Sequence, residues 1–300
     1  MDSAMPFVSV IVPVLNGERT LQDCLVSLLK MDYPAEWREI LVVDNGSTDR
    51  TADIINSFPV RYVREERRGL PHARNKGIEE SRGEILAFTD ADCVVTAGWL
   101  REMVGGFEDD SIGGVDGEIV AYPPVTLVEQ YAAMRGVHSY RARRASPLSP
   151  FVAGANFAFR REVFHWIGLF DPRLPGGEDI DLTWRFFQVT NLKIRHSPRA
   201  IVFHRNPGTV WGLFSQHLRY GRGLAILQSK YPARLLWGWR QELQAWGAVA
   251  SFAGMAARSA LRYGLQGGKK KEAFCPYLTF LRKLGIRVGF VWTVVTGGRR

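Results

Sequence analysis

The opening part of the chain alternates short apolar, β-branched runs with stretches whose apolar residues recur at helical spacing. Segments 7–14, 39–44, 60–64, 84–89 and 113–121 read as strands, and 20–30, 51–58, 71–81 and 98–107 read as the helices between them. That rhythm marks βαβ units, so the predicted class is α/β, a mainly parallel sheet with flanking helices. Past Pro123 and Pro124 the pattern loosens through the basic residues Arg141, Arg143 and Arg144, which predicts a long excursion on the sheet's carboxyl edge as far as Pro150. Order resumes at Phe151, with helices predicted at 184–190 and 210–230 and a strand at 200–203.

Composition narrows the classes. Hydrophobic residues make up 46% and charged residues 23% of 300, with no low-complexity tract, which excludes a disordered or collagen-like chain. Cys24, Cys93 and Cys275 are scattered and unpaired in sequence, so neither a disulfide framework nor a structural zinc site is expected, and a reducing compartment fits. The N-terminus lacks a basic region, and its apolar run ends at Asn16-Gly17-Glu18, so it reads as a mature start rather than a secretory signal.

The net charge of +9 is unevenly spread. Residues 1–204 carry 23 Lys/Arg against 28 Asp/Glu, a balance of −5, whereas residues 205–300 carry 16 against 2, a balance of +14. The same region holds Trp211, Trp237, Trp239, Trp246 and Trp292, a mixture that suits an anionic bilayer surface or a nucleic acid. Its longest uncharged stretch, 243–257, has 15 residues, short of the roughly 20 that a spanning helix needs.

Ligands of open α/β sheets sit beyond the carboxyl ends of the strands, and three such ends are polar here: Asn16-Gly17-Glu18, Asp44 to Asp49, and Asp90-Ala91-Asp92. Asp90 and Asp92, two apart in an extended run, share a side and invite Mg²⁺ or Mn²⁺; alone, the tripeptide also reads as a solvated turn. Asp44 can accept a ring N–H from uracil or guanine, while Ser47 and Asp49 read as helix caps. No GxGxxG follows the first strand, which argues against a dinucleotide-dependent dehydrogenase. Further on, Pro175-Gly176-Gly177 leads into Glu178, Asp179 and Asp181 at a helix start, where the dipole favours acids. Asp181 is spaced to pair with Arg185, and Asp179 is placed to take a proton from an incoming hydroxyl.

Six segments in order resemble the family 2 glycosyltransferases with the GT-A fold: 10–18, 42–49, 69–77, 88–92, 154–161, and 168–171 continuing in 177–182. The likeness covers about residues 8 to 223. It implies a catalytic domain over 1–230, with 1–120 as the nucleotide-sugar-binding half and 121–230 as the acceptor half, followed by a basic amphipathic helical region, 231–300. By the same resemblance Pro13, Glu18 and Asp44 hold the base and ribose, Arg74 lies near the phosphates, Asp90 and Asp92 form the DxD that meets the metal, and Asp179 is the catalytic base. His204 is similar to a histidine that some members add as a metal ligand.

The sequence also departs from the family. Asn45 stands where a second Asp is frequent, Gly17 where a Glu is frequent, and Gln216 to Tyr220 resembles the QxxRW of processive synthases with Tyr for Trp. The implied reaction is metal-dependent inverting transfer of a single sugar, from a UDP-sugar by preference, to an acceptor that is lipid-linked if the basic tail binds a membrane. That tail predicts a cytoplasmic enzyme held peripherally on the cytoplasmic face, with a homodimer interface as the alternative use of the tail. A sugar-1-phosphate nucleotidyltransferase would need a Gly-rich basic loop after strand one, which is absent. A non-enzymatic binder of nucleic acid would leave the acidic crevice without a purpose, so no nucleic-acid partner is expected.

Overall fold

The computed structural model describes residues 5–136, 138–235, 238–266 and 270–297. In chain order the elements are β1 (Val8–Val14), α1 (Leu21–Leu29), β2 (Arg38–Asp44), α2 (Thr51–Asn56), β3 (Arg61–Arg64), α3 (Leu70–Glu80), β4 (Ile85–Thr89), β5 (Cys93–Val95), α4 (Trp99–Val104) and β6 (Ile112–Ala121). They continue as α5 (Leu127–Arg135), α6 (Tyr140–Arg144), β7 (Asn156–Arg160), α7 (Arg161–Ile167), α8 (Glu178–Val189), β8 (Lys193–His204), α9 (Val210–Lys230), α10 (Trp239–Gln266) and α11 (Lys270–Thr296). The chain divides into two units: a sheet unit of Met1–Tyr122, Gly136–Pro172 and Glu178–Arg205, and a helical unit of Pro123–Arg135, Arg173–Gly177 and Asn206–Arg300.

The sheet has eight strands in the order β3-β2-β1-β4-β7-β6-β8-β5. Its first four are parallel, as the alternating pattern predicts. Beyond them β7 runs antiparallel to both β4 and β6, β8 runs parallel to β6, and β5 runs antiparallel to β8. The sheet is therefore parallel over its first four strands and mixed in its other half. Alternate residues of β1 feed two cores. Val8, Val10 and Val12 pack with Leu21, Leu25 and Trp99 on one face, whereas Ile11 joins Leu41, Phe88, Phe157 and Phe170 on the other. Phe88 and Phe157 stack at 4.6 Å between ring centroids, which fastens β4 to β7.

The predicted excursion at 123–150 contains two short helices, α5 and α6. Only Val128 and Tyr131 of α5 are buried, so its apolar periodicity is too sparse to read from sequence. The basic run is not wholly solvated either, because Arg143 is 3% exposed and pairs with Asp116 of β6 at 2.5 Å.

In the helical unit α9 and α11 touch backbone to backbone. A Cβ at Gly221 would lie 2.0 Å from the Ile286 carbonyl oxygen, and one at Gly289 would lie 2.1 Å from that of Leu218. Tyr131 Oη and Thr279 Oγ1, 2.9 Å apart, tie α5 to α11. Trp237 and Lys269 of the basic, aromatic tail lie outside the described residues. No helix among the described residues is long and apolar enough to cross a membrane.

Candidate active site

The strand order sets the carboxyl ends of β2, β1 and β4 side by side. The turns after β1 and β2 are laced together. Asn16, in the left-handed region at φ 54°, donates its N–H to Ser47 Oγ at 2.9 Å, and its side-chain oxygen accepts from the Thr48 N–H at 2.9 Å. Gly17 donates to Thr51 Oγ1 at 2.8 Å and Glu18 to Asp49 Oδ2 at 3.1 Å. Asp49 also accepts from the Thr51 N–H at 3.1 Å, but the residue at the N-cap of α2 is Arg50, so neither Asp49 nor Ser47 takes the capping position expected of it.

Among the predicted donor residues, Pro13 is buried within β1 and Glu18 is exposed on the laced turn. Asp44 is buried and accepts from the Ser47 N–H at 2.8 Å and Tyr62 Oη at 3.0 Å, so each oxygen keeps a lone pair for a further donor. Asn45 has a role of its own. Its amide nitrogen donates to the Glu65 and Arg67 carbonyls while its oxygen accepts from the Gly69 N–H at 2.7 Å. An aspartate could not donate to those carbonyls, which gives the departure from the family pattern a physical reason.

The segment that Asn45 holds leads into α3, which delivers Arg74. The resemblance puts this residue near phosphates; the structure buries it, 1% exposed, between carboxylates. Nη1 donates to Glu178 Oε1 at 2.6 Å and Nη2 to Asp90 Oδ1 at 3.0 Å. Burial opposes the guanidinium charge, yet Asp90, Glu178 and Asp179 together hold its pKa above the usual value. A Cβ at Gly154 would lie 2.4 Å from Nη2, so only glycine leaves room for the arginine.

That glycine also donates its N–H to Asp179 Oδ2 at 2.9 Å, and the Ile180 N–H binds Oδ1 at 2.8 Å, which fixes the carboxylate at the start of α8. Burial and the neighbouring Asp179 charge push Glu178 up to about 7, against the pull of Arg74. Burial likewise raises Asp179, opposed by Arg74 and by the two amides. Asp181 pairs with Arg185 at 3.0 Å as the spacing predicts.

Asp92 meets the end of β8. His204 Nε2 is 3.7 Å from Asp92 Oδ1, because β5 and β8 pair Cys93 with His204. Ligand atoms of Asp92, Cys93 and His204 all lie within 4.8 Å of one another. His204 is 9% exposed and its Nδ1 is buried without a hydrogen-bond partner. Desolvation raises Asp92, with His204 opposing and Asp90 reinforcing. Burial, then Asp92 and Asp90, push the Cys93 thiol far up, so it stays protonated and leaves carboxylate and imidazole as the ready donors.

Sequence reasoning missed Gly154 as a gatekeeper for Arg74 and Cys93 as a neighbour of the acids. Cys93 follows Asp92 directly in sequence; the Gly154 contact depends on the turn before β7 meeting α3, 80 residues earlier, at Arg74. Gln216 to Tyr220 lies on α9, where His217 is buried and its pKa is lowered by burial to about 4.

The family model for glycosyl transferase family 2 matches residues 9–168. This chain belongs to that family. The glycosyltransferase is 35% identical over 233 residues to "Glycosyltransferase AglE" of Haloferax volcanii, covering 74% of each chain. It spans only 54 to 58% of the length of further bacterial relatives. In fold it is similar to a mannosyltransferase of Pyrobaculum calidifontis solved with GDP-Man and Mn²⁺, at TM-score 0.65 and 22% identity over 97% of this chain and 88% of that one. It is similar as well to glucosyl-3-phosphoglycerate synthase of Mycobacterium tuberculosis solved with Mn²⁺, UDP and phosphoglyceric acid, at TM-score 0.55 and 23% identity over 75% and 78%. The sheet with its flanking helices is thus the GT-A fold of a glycosyltransferase.

Proposed function

We propose that this enzyme moves a single sugar from a nucleoside diphosphate sugar, a UDP-sugar first, to an acceptor hydroxyl, with inversion and with Mg²⁺ or Mn²⁺ bound. The observation that carries the proposal is the Arg74 bridge, in which one buried cation joins Asp90 to Glu178, the neighbour of Asp179. Metal-side and base-side acids then belong to one crevice. The complexes of the two neighbours, one with GDP-Man and Mn²⁺ and one with UDP and Mn²⁺, support a nucleotide donor and a divalent ion here. The donor set fits such an ion, since Asp92 supplies a hard oxygen and His204 an imidazole whose Nε2 lies 3.7 Å from it. Asp90 and Asp92 with His204 would hold the ion, which when bound supplies Lewis-acid neutralisation of the leaving diphosphate.

The protein's own residues do the rest. Asp44 offers its free lone pairs to the base N–H, with Pro13 and Glu18 beside the base and ribose. Arg74 keeps Asp90 and Glu178 in place. Asp179, aimed by the Gly154 and Ile180 amides, accepts the proton of the acceptor hydroxyl. The acceptor oxygen bonds to the anomeric carbon as the bond to the diphosphate breaks, and the electron pair leaves on the diphosphate. Attack from the opposite face inverts that carbon. One sugar per encounter is the reading for a chain with Tyr220 in place of the QxxRW tryptophan. A lipid-linked acceptor at a cytoplasmic membrane face would account for the +14 region.

A thermal-shift panel of UDP- and GDP-sugars with and without Mn²⁺ tests this reading. A donor at 100 times its dissociation constant is expected to add about 2.7 kcal/mol, only with metal. No shift with any nucleotide sugar would refute it.

A further inference from the structure

The α10–α11 hairpin leaves one end unusually apolar. Glu242, in the first turn of α10, pairs with Arg287, late in α11, at 2.9 Å, so the start of α10 lies beside the end of α11. Around that pair Trp239 and Leu243 are 69% and 63% exposed, and Trp292 and Val295 are 60% and 79% exposed. Trp246 and Val291, one helical turn from Leu243 and Val295 in sequence, are exposed as well. On α10 the outward apolar positions recur every three to four residues, so the helix has an apolar stripe on its open side as well as on its packed side. A Cβ at Gly247 or Gly254 would meet nothing within 4 Å, so among the described residues nothing covers the helix at these two positions. Arg240 is exposed at this end and lies 5.3 Å from the Trp239 ring centroid, while Arg258 and Arg262 are exposed toward the other end of the same helix.

We infer that this end of the helical unit docks peripherally on an anionic bilayer, with its tryptophans and valines among the headgroups and Arg240 on lipid phosphates. Exposed apolar patches of this kind mark interaction sites, and three facts choose the bilayer. Trp beside Arg suits the headgroup layer, where an aromatic ring has one wet and one dry edge. A balance of +14 over residues 205–300 attracts anionic lipid and repels a second copy of itself. Exposed valines offer nothing to a nucleic acid, whose phosphates and bases call for cations and rings. Since no described helix can cross the membrane, the contact is interfacial.

The inference deepens the lipid-linked acceptor reading, and its test separates the two. The full chain is mixed with vesicles of phosphatidylcholine alone or with added phosphatidylglycerol, and partitioning and tryptophan emission are followed. Binding to the anionic vesicles with a blue shift is expected, weakening with salt. Trp292→Ser is expected to reduce partitioning by about tenfold, and the joint Trp239→Ser and Leu243→Ser variant by more. All these positions are exposed, so the melting temperature and Mn²⁺-dependent donor binding are expected to stay at the wild-type level. Equal partitioning of wild type and variants, or none to either vesicle, overturns the inference. So does a dimer in sedimentation that Trp292→Ser dissolves, which would assign the patch to a second copy. Vesicle binding without donor binding would leave the surface standing and refute the transferase reading instead.

Discussion

The two units treat their awkward groups in opposite ways. In the sheet unit the buried charges are paired: Arg74 with Glu178 and Asp90, Arg143 with Asp116, Arg185 with Asp181, and Glu39 with Arg82. In the helical unit large apolar side chains stand in solvent, Trp211, Trp239 and Trp292 among them. Buried pairs add little net stability but hold groups in fixed positions, as a reaction needs. Exposed apolar faces cost solubility and persist where something covers them. One unit is therefore built to hold charge still, and the other to meet a surface.

The sharpest break in that contrast is at Asp179. Asp179→Asn keeps the shape and an acceptor for one of the two amide N–H groups but removes the base, so turnover is expected to fall about 10²- to 10⁴-fold while calorimetric donor affinity is retained. Loss of donor affinity as well would erase the division of roles. Next in size is Arg74→Met, which leaves Glu178 buried beside Asp179 without its counter-charge. An unfolding cost of about 3 to 5 kcal/mol is expected, read from denaturant curves. A change within about 0.5 kcal/mol would mean the carboxylates neutralise themselves without it.

On the helical side Gly289→Ala presses a methyl against the Leu218 carbonyl. A loss of about 1 to 3 kcal/mol is expected, against nearly none for an exposed position such as Val295→Ala. Equal melting temperatures would mean that α9 and α11 are not packed this closely.

The smallest effect is on pH. Burial lifts the Glu178–Asp179 pair, with Glu178 at about 7, and the base must be unprotonated to work. Turnover is therefore expected to rise with pH through an acidic limb that lies above the ordinary carboxylate range. The raised carboxyl binds its proton more tightly when folded, so its contribution to stability is present below its ordinary value of 4.5 and is lost as pH rises to about 7. A flat pH–rate profile from pH 5 to 8 would contradict the burial of the pair.

Much of this was legible beforehand. β1, β2 and β4 are the segments that are apolar along most of their length, and the polar residues at their carboxyl ends are the ones the structure gathers. The less legible parts depend on long-range pairing. β5 is three residues long, and its meaning lies in the antiparallel match that brings Cys93 against His204. α6 is five residues, fixed by Arg143 reaching Asp116 rather than by any period of its own. Arg74 is placed near phosphates by the family resemblance alone, since nothing in its own segment of sequence names its partners. Its burial between two acids appears only once α8 is packed beside α3.

The most direct test is calorimetric titration of a UDP-sugar into wild type and Asp92→Ala, with Mn²⁺ and with EDTA. Wild type is expected to bind only with the metal present, and Asp92→Ala to lose at least about 100-fold in affinity, the upper end of what disturbing a ligand's support costs. Equal binding in EDTA, or full binding by Asp92→Ala, would contradict the account of a metal-assisted donor site.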